Sequence, residues 1–191
     1  FQLYYQPIID VRTLQVRSME ALVRWHQPSR GVISPDQFLP IAEATGMMLP
    51  LGEWILQQAC TDAAAWPSHV GIAVNVSAVQ FHKENLFDVI LCALVDSSLS
   101  PERLEIEIAD VGELETRRTQ YLRDIRQLRN IGVSVVLDDS TTNYSSSTFL
   151  TAFPFDSVKI NKLFTQGVVS RRDCAAVVTS VVALARGLDV T

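Results

Sequence analysis

The feature that most constrains the fold is an alternation of short apolar segments with longer helical ones. Strands separated by helices pair in parallel through right-handed crossovers. About six segments have strand character, and most are separated by stretches of helical periodicity. The strand-like segments are residues 3–10, 16–25, 71–77, 104–110, 133–139 and 157–161, and the final DVT begins another.

This pattern predicts an α/β chain with one of two architectures. A (β/α)₈ barrel typically needs about 250 residues, so a chain of 191 residues would be a barrel that stops short. An open, doubly wound sheet is the alternative. Residues 26–35 read as a loop, and residues 83–98 and 116–130 read as helices.

Polar residues recur on one face of successive strands. Because neighbouring residues of a strand point to opposite sides, each strand divides into an apolar face and a second face. In VRSMEALVRW the apolar set is Met19, Ala21, Val23 and Trp25, which suits packing under helices. Five strands carry a polar residue with the opposite, inward parity: Glu20, Asn75, Glu107, Asp138 and Lys159.

These inward residues predict a cation site near the carboxyl ends of the strands, where barrels of this kind place their active sites. Three carboxylates in one interior cannot all remain ionised without a cation. Oxygen donors without His or Cys are typical of Mg²⁺ or Mn²⁺ sites. Hydrogen-bonded structural polar groups are the alternative interpretation.

Charge and cysteine content exclude several classes of function. The net charge is −5 without a basic run, which argues against binding of a nucleic-acid polymer, and no apolar run approaches the roughly 20 residues of a membrane span. The cysteines Cys60, Cys92 and Cys174 lack metal-site spacing and are expected to be buried free thiols in a reducing compartment. The histidines are expected in surface or loop positions. The opening directly on a strand predicts a domain of a longer protein.

Motifs along the whole chain resemble the EAL domain family of bacterial cyclic di-GMP phosphodiesterases. MEALVRW is similar to the family signature, and YYQPIID resembles its opening strand. Further similar stretches occur in the family's order: residues 31–60, VNVS at 74–77, PERLEIEI at 101–108, LDD at 137–139, YSS at 144–146 and VKI at 158–160.

The resemblance implies one TIM-like barrel domain over residues 1–191, with an irregular first strand and without the family's last strands and helices. It implies hydrolysis of cyclic di-GMP to linear di-GMP with two Mg²⁺ or Mn²⁺ ions, in a cytoplasmic homodimer whose regulatory domains lie elsewhere. The implied catalytic residues are Glu20, Asp138 and Lys159. The implied metal ligands are Glu20, Asn75, Glu107, Asp138 and, for the second ion, Asp139. The implied substrate contacts are Gln6, Leu22, Arg24 and Lys159, with Arg24 near a phosphate.

The sequence departs from the family pattern after the paired aspartates. The family reads Asp-Asp-Phe-Gly-Thr-Gly-Tyr-Ser-Ser there, and this chain has Ser140 for the aromatic residue and Thr141 and Asn143 for the glycines. A β-branched threonine tolerates a positive φ poorly. Asn161 replaces an aspartate, and Asp110 keeps a carboxylate one methylene shorter than the family's glutamate. The chain ends at Thr191, before a further catalytic glutamate of the family.

These departures leave two principal functions open. The first is an active phosphodiesterase, because the five inward polar residues are present. The second is a catalytically impaired domain that acts as a cyclic di-GMP receptor or protein-interaction module, because the supporting loop (Asp110, Ser140, Thr141 and Asn143) has changed. A different metal-dependent barrel enzyme is a third interpretation.

Overall fold

Strands and helices alternate along the chain, as the sequence pattern predicts. The computed structural model describes residues 1–81, 85–108, 118–138 and 153–191. The chain divides into a first unit, Phe1–Ile106, and a second unit, Glu107–Thr191. Strand β5 crosses from one into the other. No helix of the described residues is long and apolar enough to span a membrane.

The first unit is built on a long antiparallel hairpin continued by parallel pairing. Its strand order is β1-β2-β4-β5, with β3 on β2, and β2 runs parallel to β4. The strands are β1 (Gln2–Ile9), β2 (Val16–Gln27), β3 (Gly31–Ile33), β4 (Gly71–Val76) and β5 (Leu104–Ile108). The helices are α1 (Pro35–Ala44), α2 (Met48–Ala64), α3 (Ala78–Phe81), α4 (Leu86–Ser97) and the 3₁₀ turn Pro101–Arg103.

Two local expectations for the first unit are wrong in detail. The predicted loop contains β3, which pairs with the end of β2 through Trp25 and Ile33; Gly31 enables this return with a φ of 76°. Trp25 is 36% exposed instead of covered by helices. It packs against Phe1 and Phe38, with ring centroids 5.6 and 5.9 Å away.

The second unit pairs β6 (Ser134–Leu137) in parallel with β7 (Ser157–Val158). Its helices are α5 (Arg118–Asn130), α6 (Lys162–Gly167) and α7 (Arg172–Gly187). The predicted strand over 157–161 is shorter than expected, because the Asn161 side chain accepts a hydrogen bond from Leu163 N at 2.8 Å and begins α6. Thr191 hydrogen-bonds alongside β7, as expected for the start of another strand.

Charged side chains anchor the beginnings of strands in both units. In the first, the Arg103 guanidinium donates to the carbonyls of Val70 at 3.0 Å and Ala63 at 2.6 Å, which joins the start of β4 to the end of α2. In the second, Asp156 accepts from Val135 N at 2.8 Å and from the Arg129 guanidinium at 2.9 Å. These contacts satisfy backbone groups at the strand ends.

The apolar faces predicted for β4, β5 and β6 are buried, and so are Ala73, Glu107 and Val136 of the opposite faces. Their apolar sets are almost fully buried: Ile72, Val74, Val76, Leu104, Ile106, Ile108, Val135 and Leu137. Cys60 and Cys174 are buried free thiols as expected, whereas Cys92 is exposed. The Cys92 expectation is wrong because Ile90, Ala93 and Leu94 form the buried stripe of α4, and Cys92 lies off it. His26 and His69 are exposed, as predicted, and His82 lies outside the described residues.

Candidate functional site

In the first unit, Glu20 in the middle of β2 meets Asn75 near the end of the neighbouring strand β4. Glu20 on β2 lies beside Ala73 on β4, and Asn75 follows two residues later on the same face. The Asn75 amide donates to Glu20 Oε1 at 3.0 Å. Glu20 is half-buried and Asn75 is exposed, so both oxygen-bearing side chains border solvent.

A buried amide fastens the turn after β4, two residues beyond Asn75. Gln80, on α3, is 5% exposed, and its Oε1 accepts from Ser77 N at 3.0 Å. Gly52 on α2 makes room for it, since a Cβ there would lie 2.2 Å from Gln80 Nε2. Sequence reasoning missed Gln80, although the three-residue spacing from Ser77 to Gln80 is that of a capping box and contains the signal.

The predicted substrate contacts share the face that carries Glu20. Gln6 lies opposite Glu20 in the hairpin, and Tyr4 lies opposite Leu22. Arg24 is half-buried; its Nη1 donates to the Val23 carbonyl at 3.0 Å. Among the described residues no carboxylate forms an ion pair with Arg24, so its charge stays available to an anion.

Two residues beside Arg24 were missed by sequence reasoning. The Arg24 guanidinium lies 5.8 Å from the centre of the Tyr4 ring, and the Tyr4 hydroxyl lies 3.4 Å from His26 Nε2. The strand parity of YYQP and VRWH contains this signal, because Tyr4 and His26 share a face with Gln6 and Arg24.

In the second unit, Lys159 holds the buried carboxylate of Glu107. Glu107 is the penultimate residue of β5 and has a side chain that is 1% exposed, while the Lys159 side chain is 29% exposed. The Lys159 ammonium lies 2.7 Å from Oε2 and 2.6 Å from Oε1. Because a buried carboxylate is costly without a partner, this pair fixes both side chains. The structure therefore brings together two of the predicted residues.

Backbone hydrogen bonds of the second unit place Asp138 directly after β6. Asp138 N donates to the Ile108 carbonyl at 2.9 Å, and Lys159 N donates to the Leu137 carbonyl at 2.8 Å. Asp138 is half-buried. Glu107 therefore lies near the end of β5, and Asp138 and Lys159 directly follow β6 and β7. The remaining predicted positions lie outside the described residues: Asp110, Asp139, Ser140, Thr141 and Asn143.

The chemistry of the donor set fits a hard divalent cation. Glu20 and Asn75 offer oxygen atoms from adjacent strands of the first unit, and Glu107 and Asp138 offer carboxylates in the second. Oxygen donors of this kind suit Mg²⁺ and Mn²⁺. Within the described ranges, no group of three or more His, Cys, Asp or Glu side chains is placed to hold a metal ion.

Comparisons with known proteins agree on one family. Protein y4lL of Sinorhizobium fredii is 41% identical over 186 residues, which are 97% of this chain and 22% of that protein. The bifunctional diguanylate cyclase/cyclic di-GMP phosphodiesterase MucR of Pseudomonas aeruginosa is 37% identical over 191 residues, or 98% of this chain and 28% of MucR. The chain thus spans about a quarter of the length of these curated relatives.

A solved structure supports the same assignment. The PaMucR phosphodiesterase in complex with c-di-GMP matches with a TM-score of 0.92 and 36% identity, over 99% of this chain and 78% of that one. This match confirms the predicted fold class, an α/β fold with a mostly parallel sheet like that of the TIM-like EAL domains. A family model for the EAL domain covers residues 1–191, and the chain therefore belongs to the EAL domain family.

Proposed function

We propose that the chain is the phosphodiesterase domain of a bacterial signalling protein and hydrolyses cyclic di-GMP to linear di-GMP. The observation that carries the proposal is the Glu107–Lys159 pair, which holds an ammonium at a strand end next to a carboxylate. The relatives named as cyclic di-GMP phosphodiesterases support the choice of substrate.

The chain's own residues have separable tasks in this reaction. Water adds across one phosphodiester bond, so that a P–O bond to water forms and one P–O bond to ribose breaks. Lys159 places positive charge where negative charge builds on the phosphate. Arg24 binds a phosphate of the dianionic substrate, and Gln6 and Leu22 complete that side. Glu20 and Asp138 act with Lys159 as the catalytic set.

The carboxylates give the chain a place for divalent ions. We propose that Glu20, Asn75, Glu107, Asp138 and Asp139 act as ligands of two Mg²⁺ or Mn²⁺ ions. Such ions lower the pKa of bound water and stabilise charge on a phosphate in displacement reactions. The Glu20–Asn75 hydrogen bond holds these two side chains in place before any ion binds.

A catalytically impaired receptor or interaction module is the second candidate. It is favoured by the residues after the aspartate pair, where Ser140, Thr141 and Asn143 replace the family's aromatic residue and glycines. Such a domain keeps the binding face of the first unit and loses turnover.

The deciding experiment measures linear di-GMP release by the full-length protein with Mg²⁺ and with Mn²⁺, beside calorimetric binding of cyclic di-GMP. Turnover that is lost in Lys159→Met, measured below the unfolding transition of that variant, supports the phosphodiesterase. Binding without turnover under either metal supports the receptor. If the protein neither binds nor hydrolyses cyclic di-GMP, the phosphodiesterase and the receptor are both overturned and an interaction module is favoured. Chelation with EDTA serves as the metal control, and turnover that persists under EDTA contradicts the metal proposal.

The family resemblance supports four further proposals about the whole protein. We propose that residues 1–191 belong to a single EAL-type barrel domain and that this domain forms a homodimer. Regulatory domains elsewhere in the full-length protein set its activity, and the domain acts in the cytoplasm. Sedimentation of the full-length protein with and without cyclic di-GMP tests the dimer.

A further inference from the structure

Tyr4 lies on the face of the hairpin that carries the proposed substrate contacts. It is opposite Leu22 in the register of β1 and β2, two pairs away from Gln6 and Glu20 and therefore on the same face. Residues opposite each other in an antiparallel pair project from the same side of the sheet. Tyr4 is 45% exposed, so its ring borders the space into which these side chains project.

The ring of Tyr4 and a backbone carbonyl together fix the side chain of Arg24. The guanidinium carbon lies 5.8 Å from the ring centre, within the range of a cation–π contact. On another edge, Nη1 donates to the Val23 carbonyl at 3.0 Å. Neither partner carries a formal negative charge, so Arg24 is held in one place without being neutralised.

His26 supports the ring from the next position of the same face. Its Nε2 lies 3.4 Å from the Tyr4 hydroxyl, and the ring centroids are 6.0 Å apart at 35°. This contact is long and exposed, so it contributes less than the contact between ring and guanidinium.

We infer that Tyr4 is a positioning residue, which presents Arg24 to a phosphate of the cyclic dinucleotide. The inference rests on the proposed function and extends it. A mobile arginine loses conformational freedom when it binds an anion, and a side chain already held in its bound orientation avoids part of that loss. Tyr4 thus strengthens substrate binding through Arg24.

A double-mutant cycle on cyclic di-GMP binding tests this inference in the full-length protein under EDTA, which prevents turnover. Tyr4→Leu removes the aromatic face and is expected to weaken binding roughly two- to fivefold, the size of an exposed cation–π contact. Tyr4→Phe keeps the ring and serves as the matched variant, with an affinity within about twofold of the native protein. In the Arg24→Ala background, Tyr4→Leu is expected to have no further effect.

A ligand-free measurement separates this inference from the proposed function. In protein labelled with ¹⁵N-arginine, the chemical shift of the Arg24 Nε–Hε resonance is expected to change in Tyr4→Leu. In Tyr4→Phe it is expected to remain the same as in the native protein. If the native protein fails to bind cyclic di-GMP, the proposed function fails, and an unmoved resonance shows separately that Tyr4 does not hold Arg24. If the native protein binds and Tyr4→Leu weakens binding equally with and without Arg24, Tyr4 contacts the ligand itself and the positioning inference is overturned.

Discussion

At the scale of single residues, the Glu107 carboxylate is buried and depends on the Lys159 ammonium as an ion-pair partner. It is 1% exposed and receives the Lys159 ammonium on both oxygens. A carboxylate in this position is stable while the lysine is present and costly without it. The pair therefore links the stability of the second unit to the charge that the proposed reaction uses.

This link predicts a recoverable loss of stability. Lys159→Met leaves Glu107 buried without the ammonium, and we expect the free energy of unfolding to fall by roughly 3 kcal/mol. The double variant Glu107→Gln/Lys159→Met removes the buried charge and is expected to recover a large part of the loss. Urea unfolding of both variants provides the measurement. A double variant no more stable than the single one would refute the pairing explanation.

The Asp124 carboxyl on α5 predicts a dependence of stability on pH. Asp124 is 6% exposed, and burial raises the pKa of its carboxyl above the ordinary value, although Arg123 at 3.5 Å opposes the shift. The folded chain therefore holds this proton more tightly than the unfolded chain does, and the contribution to stability falls as the pH rises from about 4 through the raised pKa.

Asp124→Asn removes the titrating carboxyl and its pH-dependent contribution to stability. The free energy of unfolding of this variant, relative to that of the native protein, should therefore increase as the pH rises from about 4 to 7. Urea titrations at several pH values measure the difference between the two. A difference that stays constant with pH, or that shrinks as the pH rises, would show that burial does not control this carboxyl.

At the scale of elements, strand and helix types were predictable where periodicity is long, as in β2, β4 and α2. Short elements were not. β3 depends on the positive φ of Gly31 and on its pairing with β2, and α6 depends on the cap supplied by Asn161. Strand parity was sufficient to place Glu20 beside Asn75 in the first unit and Glu107 beside Lys159 in the second. It did not identify Gln80, which lies on a helix, although the spacing of Ser77 and Gln80 is that of a capping box.

Arg103 is predicted to stabilise the connection between α2 and β4. Arg103→Met removes hydrogen bonds to the Ala63 and Val70 carbonyls, and we expect a loss of about 2 kcal/mol in the free energy of unfolding. Arg17→Met is the matched control: its ion pair with Glu105 is 3.7 Å long, and its side chain is 52% exposed. The control should lose less than about 1 kcal/mol. Equal losses in both variants would contradict this role.

At the scale of the whole molecule, the phosphodiesterase and the cyclic di-GMP receptor both require the same ligand to bind the folded chain. A ligand at one hundred times its Kd stabilises the folded state by about 2.7 kcal/mol. Cyclic di-GMP at that excess, under EDTA, should therefore raise the melting temperature of the full-length protein. 5′-GMP, which has the same base without the cyclic backbone, serves as the control. A melting temperature that does not change with cyclic di-GMP would exclude the phosphodiesterase and the receptor, and would leave the interaction module.

In each unit, the groups that anchor strands and the groups proposed for chemistry lie at opposite ends of the strands. Arg103 and Asp156 fasten backbone at the beginnings of strands, whereas Asn75 and Asp138 lie where strands finish. Substitutions at positions of the reactive end such as these two can therefore accumulate with little effect on the anchors. Glu107 and Lys159 are an exception, because their ion pair also contributes to stability. Evolution can rewrite other positions of the reactive end, even to the point of losing turnover, and still retain a domain that folds.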